Sequence, residues 1–224
     1  MTAAPNSGKP KPVVILVGFA FGTVALGLLL WGAHTLYGRG ADALALAKSP
    51  QRRDRLRAID MLRGDGSSDA RQALARLARD RDRRVAITAV WAIGEYGDET
   101  SGKTLAGVLT DKTLDAKVRA EAAVMLGSCR GGGLSVLTDA LIGDEAGRVR
   151  AGAASGLGRL RDVKALPALV DALEDRDVEV RRAAIDSIHK MVAHHSRFDP
   201  ERPPGTQRPH IERIREILRK AGLL

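Results

Sequence analysis

The chain has 224 residues, with 36 Lys and Arg against 27 Asp and Glu, a formal charge of +9 and one cysteine. That length holds one ordinary domain plus an appendage, and a single cysteine excludes both an intramolecular disulfide framework and a Cys-rich zinc site. Aromatics are scarce, and Phe19, Phe21, Trp31 and Tyr37 all precede residue 40; this argues against β-sandwiches and against RNA modules that stack bases on rings.

Residues 1–12 are polar, contain Pro5, Pro10 and Pro12, and are expected to form a disordered tail. Residues 13–31, VVILVGFAFGTVALGLLLW, carry no charge. As a helix rising about 1.5 Å per residue they would be roughly 28 Å long, close to the hydrocarbon thickness of a bilayer. A single transmembrane helix is predicted here, with Trp31 and Tyr37 as interfacial anchors. The stretch is too long for a signal-peptide core, and the A-x-A pattern at Ala41 and Ala43 lies well downstream, so an uncleaved signal anchor is expected. Lys9 and Lys11 before it, against Arg39, Asp42 and Lys48 after it, favour a cytoplasmic N-terminus and an exported repeat domain. The basic run Arg52, Arg53, Arg55 and Arg57 pulls the opposite way. Gly18 and Gly22 form a G-x-x-x-G pair that would let two such helices pack as a homodimer, although the motif alone does not establish one.

After a linker over 32–49, residues 50–193 repeat. VRAEAAVMLG (Val118–Gly127) and VRAGAASGLG (Val149–Gly158) match almost column by column, and VAITAVWAIG and VRRAAIDSIH share their frame. The anchor valines 85, 118, 149 and 180 are spaced by 33, 31 and 31 residues, and a further step back reaches Asp54, a degenerate anchor. Anchor, +4 and +8 are apolar in each unit (Val118, Ala122 and Leu126, for example), one stripe of a helix. A second stripe follows, as in Leu166, Leu169 and Leu173. Asp82, Asp115 and Asp177 stand three residues before their anchors, where an N-cap carboxylate takes up free helix N–H groups. Gly94, Gly127 and Gly158 are expected to end the same helices. One hairpin of about 31 residues cannot bury enough apolar surface to order itself, so the units must stack. The expectation is an all-α fold: an α-solenoid of four to five helical hairpins, preceded by a transmembrane helix.

The motif D-x-x-V-R-x-x-A-x-x-x-L-G, followed by an L-x-x-L-x-x-A-L helix, resembles the short HEAT-like repeats of the bilin-lyase type over about two thirds of the chain. Asp115/Arg119 and Asp177/Arg181 match the family's Asp and Arg positions; Ala146 replaces the Asp before Arg150, and Ala86 replaces the Arg after Asp82. The resemblance implies the fold and leaves function open among scaffolds, chaperones and lyase subunits.

Three features bear on function. The column Arg119, Arg150 and Arg181 either binds an acidic partner or pairs with the capping Asp four residues before it or with the next cap; pairing is favoured. Ile87, Trp91 and Val124 occupy the +2 and +6 columns, forming a partner-binding patch if exposed and core if covered. Residues 194–210 contain four prolines and must break the repeat, and 211–224 form an amphipathic helix with Ile211, Ile214 and Leu218 on one face, a cap for the last unit. No catalytic, cofactor or metal site is expected. His194 and His195 lack a third ligand at useful spacing, and the absence of any His-Glu dipeptide excludes the iron chemistry of HEAT-like deoxyhypusine hydroxylases. Cys129 suits a small buried filler. The function expected is a non-enzymatic, membrane-anchored scaffold that binds a protein partner. A nucleic-acid binder and a non-catalytic subunit of a chromophore lyase are the alternatives, and mixed charge on every repeat speaks against nucleic acid.

Overall fold

The computed structural model describes residues 40–131, 133–192 and 196–224. The expectations for residues 1–12 and 13–31, for the Gly18/Gly22 pair and for His194 and His195 fall outside them. The chain divides into units 1–42 and 43–224. Among the described residues no helix is long and apolar enough to cross a membrane.

Unit 43–224 is built of helical hairpins. They comprise α1 (Arg52–Leu62) with α2 (Ser68–Leu77), α3 (Arg83–Gly94) with α4 (Glu99–Thr110), and α5 (Ala116–Leu126) with α6 (Leu134–Gly143). α7 (Gly147–Leu160) pairs with α8 (Leu166–Asp171), which has a 3-10 turn at each end, and α9 (Val178–Met191) precedes the final α10 (Arg208–Lys220). The first helices α1, α3, α5, α7 and α9 stack on one another in chain order, and the second helices form the other layer.

The helix starts follow from local chemistry. Asp82 accepts from the N–H groups of Arg84 and Val85, Asp115 from Lys117 and Asp177 from Glu179. Ser67 and Asp98 cap α2 and α4 in the same manner. Each such cap contributes about 1 kcal/mol over alanine. Ala146 cannot cap α7, and its own N–H is instead taken by Asp144 at 3.0 Å.

The anchors Val85, Val118, Val149 and Val180 and their +4 alanines are all buried, forming one continuous core. Small residues set how closely the first helices approach. A Cβ on Gly156 would lie 2.4 Å from the Ala123 carbonyl oxygen, and one on Gly152 would lie 2.6 Å from that of Ala120. Gly158 corrects an expectation: α7 continues to Leu160 and ends on Arg161 in the left-handed region (φ 56°). Gly158 instead admits Ser187 of the next first helix, whose Oγ donates to the Ala154 carbonyl at 2.9 Å.

At the C-terminal end, Ile211, Ile214 and Leu218 of α10 are buried. Arg215 reaches Asp171 of α8 at 2.8 Å. Phe198 and Gln207 close the loop before α10, the Gln207 amide accepting from Asp199 N–H at 2.8 Å.

Candidate protein-binding face

The arginine column does not face solvent. Arg55, Arg119, Arg150 and Arg181 are all buried. Each lies one residue after its anchor, at the edge of the apolar stripe, and reaches across to the start of the next unit. Arg55 meets Asp80 at 2.7 Å, Arg119 meets Asp144, and Arg150 meets Asp175 through Nε at 2.8 Å and Nη2 at 2.9 Å. Arg181, in the last unit, donates to the Pro200 carbonyl at 2.9 Å. Three of the four also donate Nη1 to two carbonyls just before their own helix: Arg55 to Ser49 and Pro50, Arg150 to Asp144 and Glu145, Arg181 to Asp175 and Arg176.

The partner is therefore neither the capping Asp four residues earlier nor the next cap. It is the aspartate two residues before the next cap, 25 residues beyond the arginine. Asp80, Asp144 and Asp175 also accept the N–H two residues on, which fixes the turn into the following helix. One rung is missing. Ala86 holds the arginine position of the second unit, and Asp111, 25 residues on, accepts from the Thr113 N–H at 3.1 Å and hydroxyl at 2.6 Å but has Arg79, at 3.7 Å, as its one ion-pair partner among the described residues.

Burial pushes the Asp144 carboxyl upward, but hydrogen bonds from Arg119, Lys112 and the Ala146 N–H outweigh it and hold the group below its ordinary value. Asp175 is depressed in the same way against its burial, through Arg150 and the Asp177 N–H. Both stay ionised in the fold. These side chains tie units together and are closed to a partner.

The face presented by the first helices is different. Trp91 is 49% exposed, and its indole N–H donates to Glu121 of the neighbouring first helix at 3.1 Å. Ile87, one turn before it on α3, and Val124, one turn after Glu121 on α5, are half-buried. Beyond Val124 the face opens into a shallow groove of about 330 Å³ across α5, α7 and α9. Ala120, Ala151 and Gly152 line it together with Ser155 and the charged side chains of Glu121, Glu179, Arg182 and Asp186. The small residues that allow close helix stacking thus also leave a channel next to an exposed indole.

Other candidates carry no chemistry of this kind. Cys129 is buried, and burial raises its thiol above the ordinary value, away from the reactive thiolate. Among the described residues no group of three or more His, Cys, Asp or Glu side chains is arranged to hold a metal ion.

Stacked helical hairpins with one exposed row of side chains define an α-solenoid repeat protein. The profile of the HEAT-repeat family matches residues 41–127 and 134–197, and the chain belongs to that family. A comparison with curated proteins finds no match. Among solved structures, a chain from the complex of CpcE and CpcF of phycocyanin lyase from Nostoc sp. PCC7120 is 21% identical, with a TM-score of 0.52. The similarity covers 68% of this chain and 64% of that one, so this chain spans under two thirds of its length. A designed armadillo repeat protein is 18% identical, with a TM-score of 0.45, over 78% of this chain and 86% of that one.

Proposed function

We propose that the protein is a non-enzymatic adaptor, tethered to a membrane by residues 13–31, whose first-helix face docks a protein partner. The observation that carries the docking is the half-exposed Trp91, oriented by Glu121, with the half-buried Ile87 and Val124 on the same helices. A fixed aromatic beside a small-residue channel is the kind of anchor that dominates binding energy at protein interfaces. The tether rests on nineteen consecutive uncharged residues. The charges flanking them favour a repeat domain on the exported side. HEAT and related repeat proteins work as binding surfaces, and the CpcE–CpcF pair is itself a complex of two chains.

A photo-crosslinking residue placed at Val124 in cells should give one discrete adduct. The same residue at Val163, exposed and outside this face, should not. Trp91→Ala, with unchanged melting temperature, should remove the adduct. Equal adducts from both positions, or an unchanged yield in Trp91→Ala, would overturn the docking face. The adduct should stay with membranes through an alkaline wash, and a reporter active only in the cytosol should stay silent when fused after Leu224. Release by the wash removes the tether, and an active reporter reverses the orientation.

A further inference from the structure

Arg53, Arg84, Lys117 and Arg148 occupy the same place in four consecutive units, one residue before the anchor. Each is the second residue of its first helix, and the arginines are exposed. Among the described residues none of the four side chains has an ion-pair partner, whereas the neighbouring columns are paired internally. The column before it pairs Arg52 with Asp82 at 3.7 Å and Arg83 with Asp115 at 3.8 Å. The column two residues after it forms the buried arginine ladder described above.

Helix stability does not account for this choice. The first turn of a helix carries partial positive charge and favours an anion, so a cation there is locally unfavourable. The fifth unit has Glu179 at that position, the residue type the helix prefers. Four locally unfavourable cations in register therefore imply something outside the helix that they meet. They border the strip containing Leu56, Ile87, Ala120 and Ala151, with Trp91 on the same face.

Resting on the reading of this face as a docking surface, we infer that the occupant is an extended acidic segment of a partner protein, with carboxylates about every third residue. Packed helices lie about 8–10 Å apart, and an extended chain advances about 3.3 Å per residue. One cation per repeat thus matches one carboxylate per three residues. The reversal to Glu179 ends the acidic stretch at the fifth unit and gives the segment a direction. Duplex DNA fits the row less well. Its charge is one per about 1.7 Å, far denser than a single rank of four, and Glu121 and Asp186 on the same face repel any anion, the denser polyanion more strongly than a sparsely charged peptide.

The test uses the full-length chain in mild detergent and a fluorescein-labelled thirteen-residue Ser/Ala peptide with Asp at positions 1, 4, 7 and 10. Its competitors are an isomer with the four Asp residues adjacent and a single-stranded oligonucleotide of equal charge. The spaced peptide should bind more tightly than the isomer and resist the oligonucleotide. Arg84→Glu and Arg148→Glu should each weaken it about tenfold or more while leaving the melting temperature equal or higher. Lys164→Gln, an exposed cation elsewhere, should change nothing. The same peptide with Lys in place of Asp should bind the double variant Arg84→Glu/Arg148→Glu more tightly than the wild type. Equal binding of the isomer, equal loss with Lys164→Gln, no binding, or displacement by the oligonucleotide each overturns the acidic-segment inference. If the inference fails while the Val124 adduct persists, the docking face stands and only its occupant is wrong.

Discussion

Asp175 shows how much one carboxylate carries. It accepts from Arg150 at two points and from the Asp177 N–H, so its removal leaves a buried guanidinium half-satisfied and a turn unpinned. Asp175→Asn should cost about 2–3 kcal/mol at pH 7, since hydrogen bonds to charged groups are worth that much when one partner is lost. The sign of the pH dependence follows from the depressed native pKa. A carboxyl that releases its proton more easily in the fold stabilises the fold above its unfolded value, about 3.9 for Asp, and the stabilisation disappears as pH falls through the lower, native value. The stability gap between wild type and Asp175→Asn should therefore be constant from pH 8 to pH 5 and narrow below about pH 4. Urea titrations at pH 7 and pH 2.5 measure it, and an equal gap at both would show that the rung is not ionic. Asp144, with Arg119 and Lys112 on one carboxylate, should behave the same way.

At the scale of the element, stacking distance is set by residues without side chains. Gly156 lies inside α7, where alanine would ordinarily gain about 0.5–1 kcal/mol of helix propensity. Here the added methyl would meet the Ala123 carbonyl oxygen at 2.4 Å, and that oxygen belongs to a rigid helix. Overpacking against backbone costs about 1–3 kcal/mol, so Gly156→Ala should destabilise the protein by about 1–2 kcal/mol in denaturant titration. A stabilised variant would mean that α5 and α7 separate freely. The helices and their starts were legible in the sequence because a 3.6-residue apolar period and an aspartate three residues before each anchor are both local signals. The ladder was not legible, although Asp80-Arg81-Asp82 and Asp175-Arg176-Asp177 recur visibly. The second aspartate of each triplet caps its own helix, and only the fold shows that the first receives an arginine from the preceding unit. Gly158 misled for a related reason: a glycine near a helix end suits a cap, but this one admits Ser187. The exposure of Trp91 also waited on the structure, because +2 and +6 positions are core or surface according to whether another layer covers them.

For unit 43–224 as a whole, contacts run almost entirely between successive hairpins, so stability is a sum of unit and interface terms rather than one core's. The last unit differs in having no successor. Its arginine, Arg181, has no aspartate to meet and takes the Pro200 carbonyl instead. Its apolar surface is closed by Phe198, Ile211, Ile214 and Leu218. The region from 196 to 224 thus supplies for α9 what a further repeat would. Ending the chain after Val192 should leave Arg181 with only its local carbonyls and expose Ile188 and Leu169, which are buried in the intact chain. In a quasi-one-dimensional array the damage should decay with distance from the break. Amide hydrogen exchange should therefore accelerate most in α9 and α8, less in α5, and least in α1 and α3. An equal loss of protection in every helix would mean that the array unfolds as one cooperative body and that the C-terminal region stabilises all units rather than capping the last. The face bearing Trp91 lies on α3 and α5, away from that end, so the truncated chain should keep its cross-link from Val124 even as its final hairpin frays.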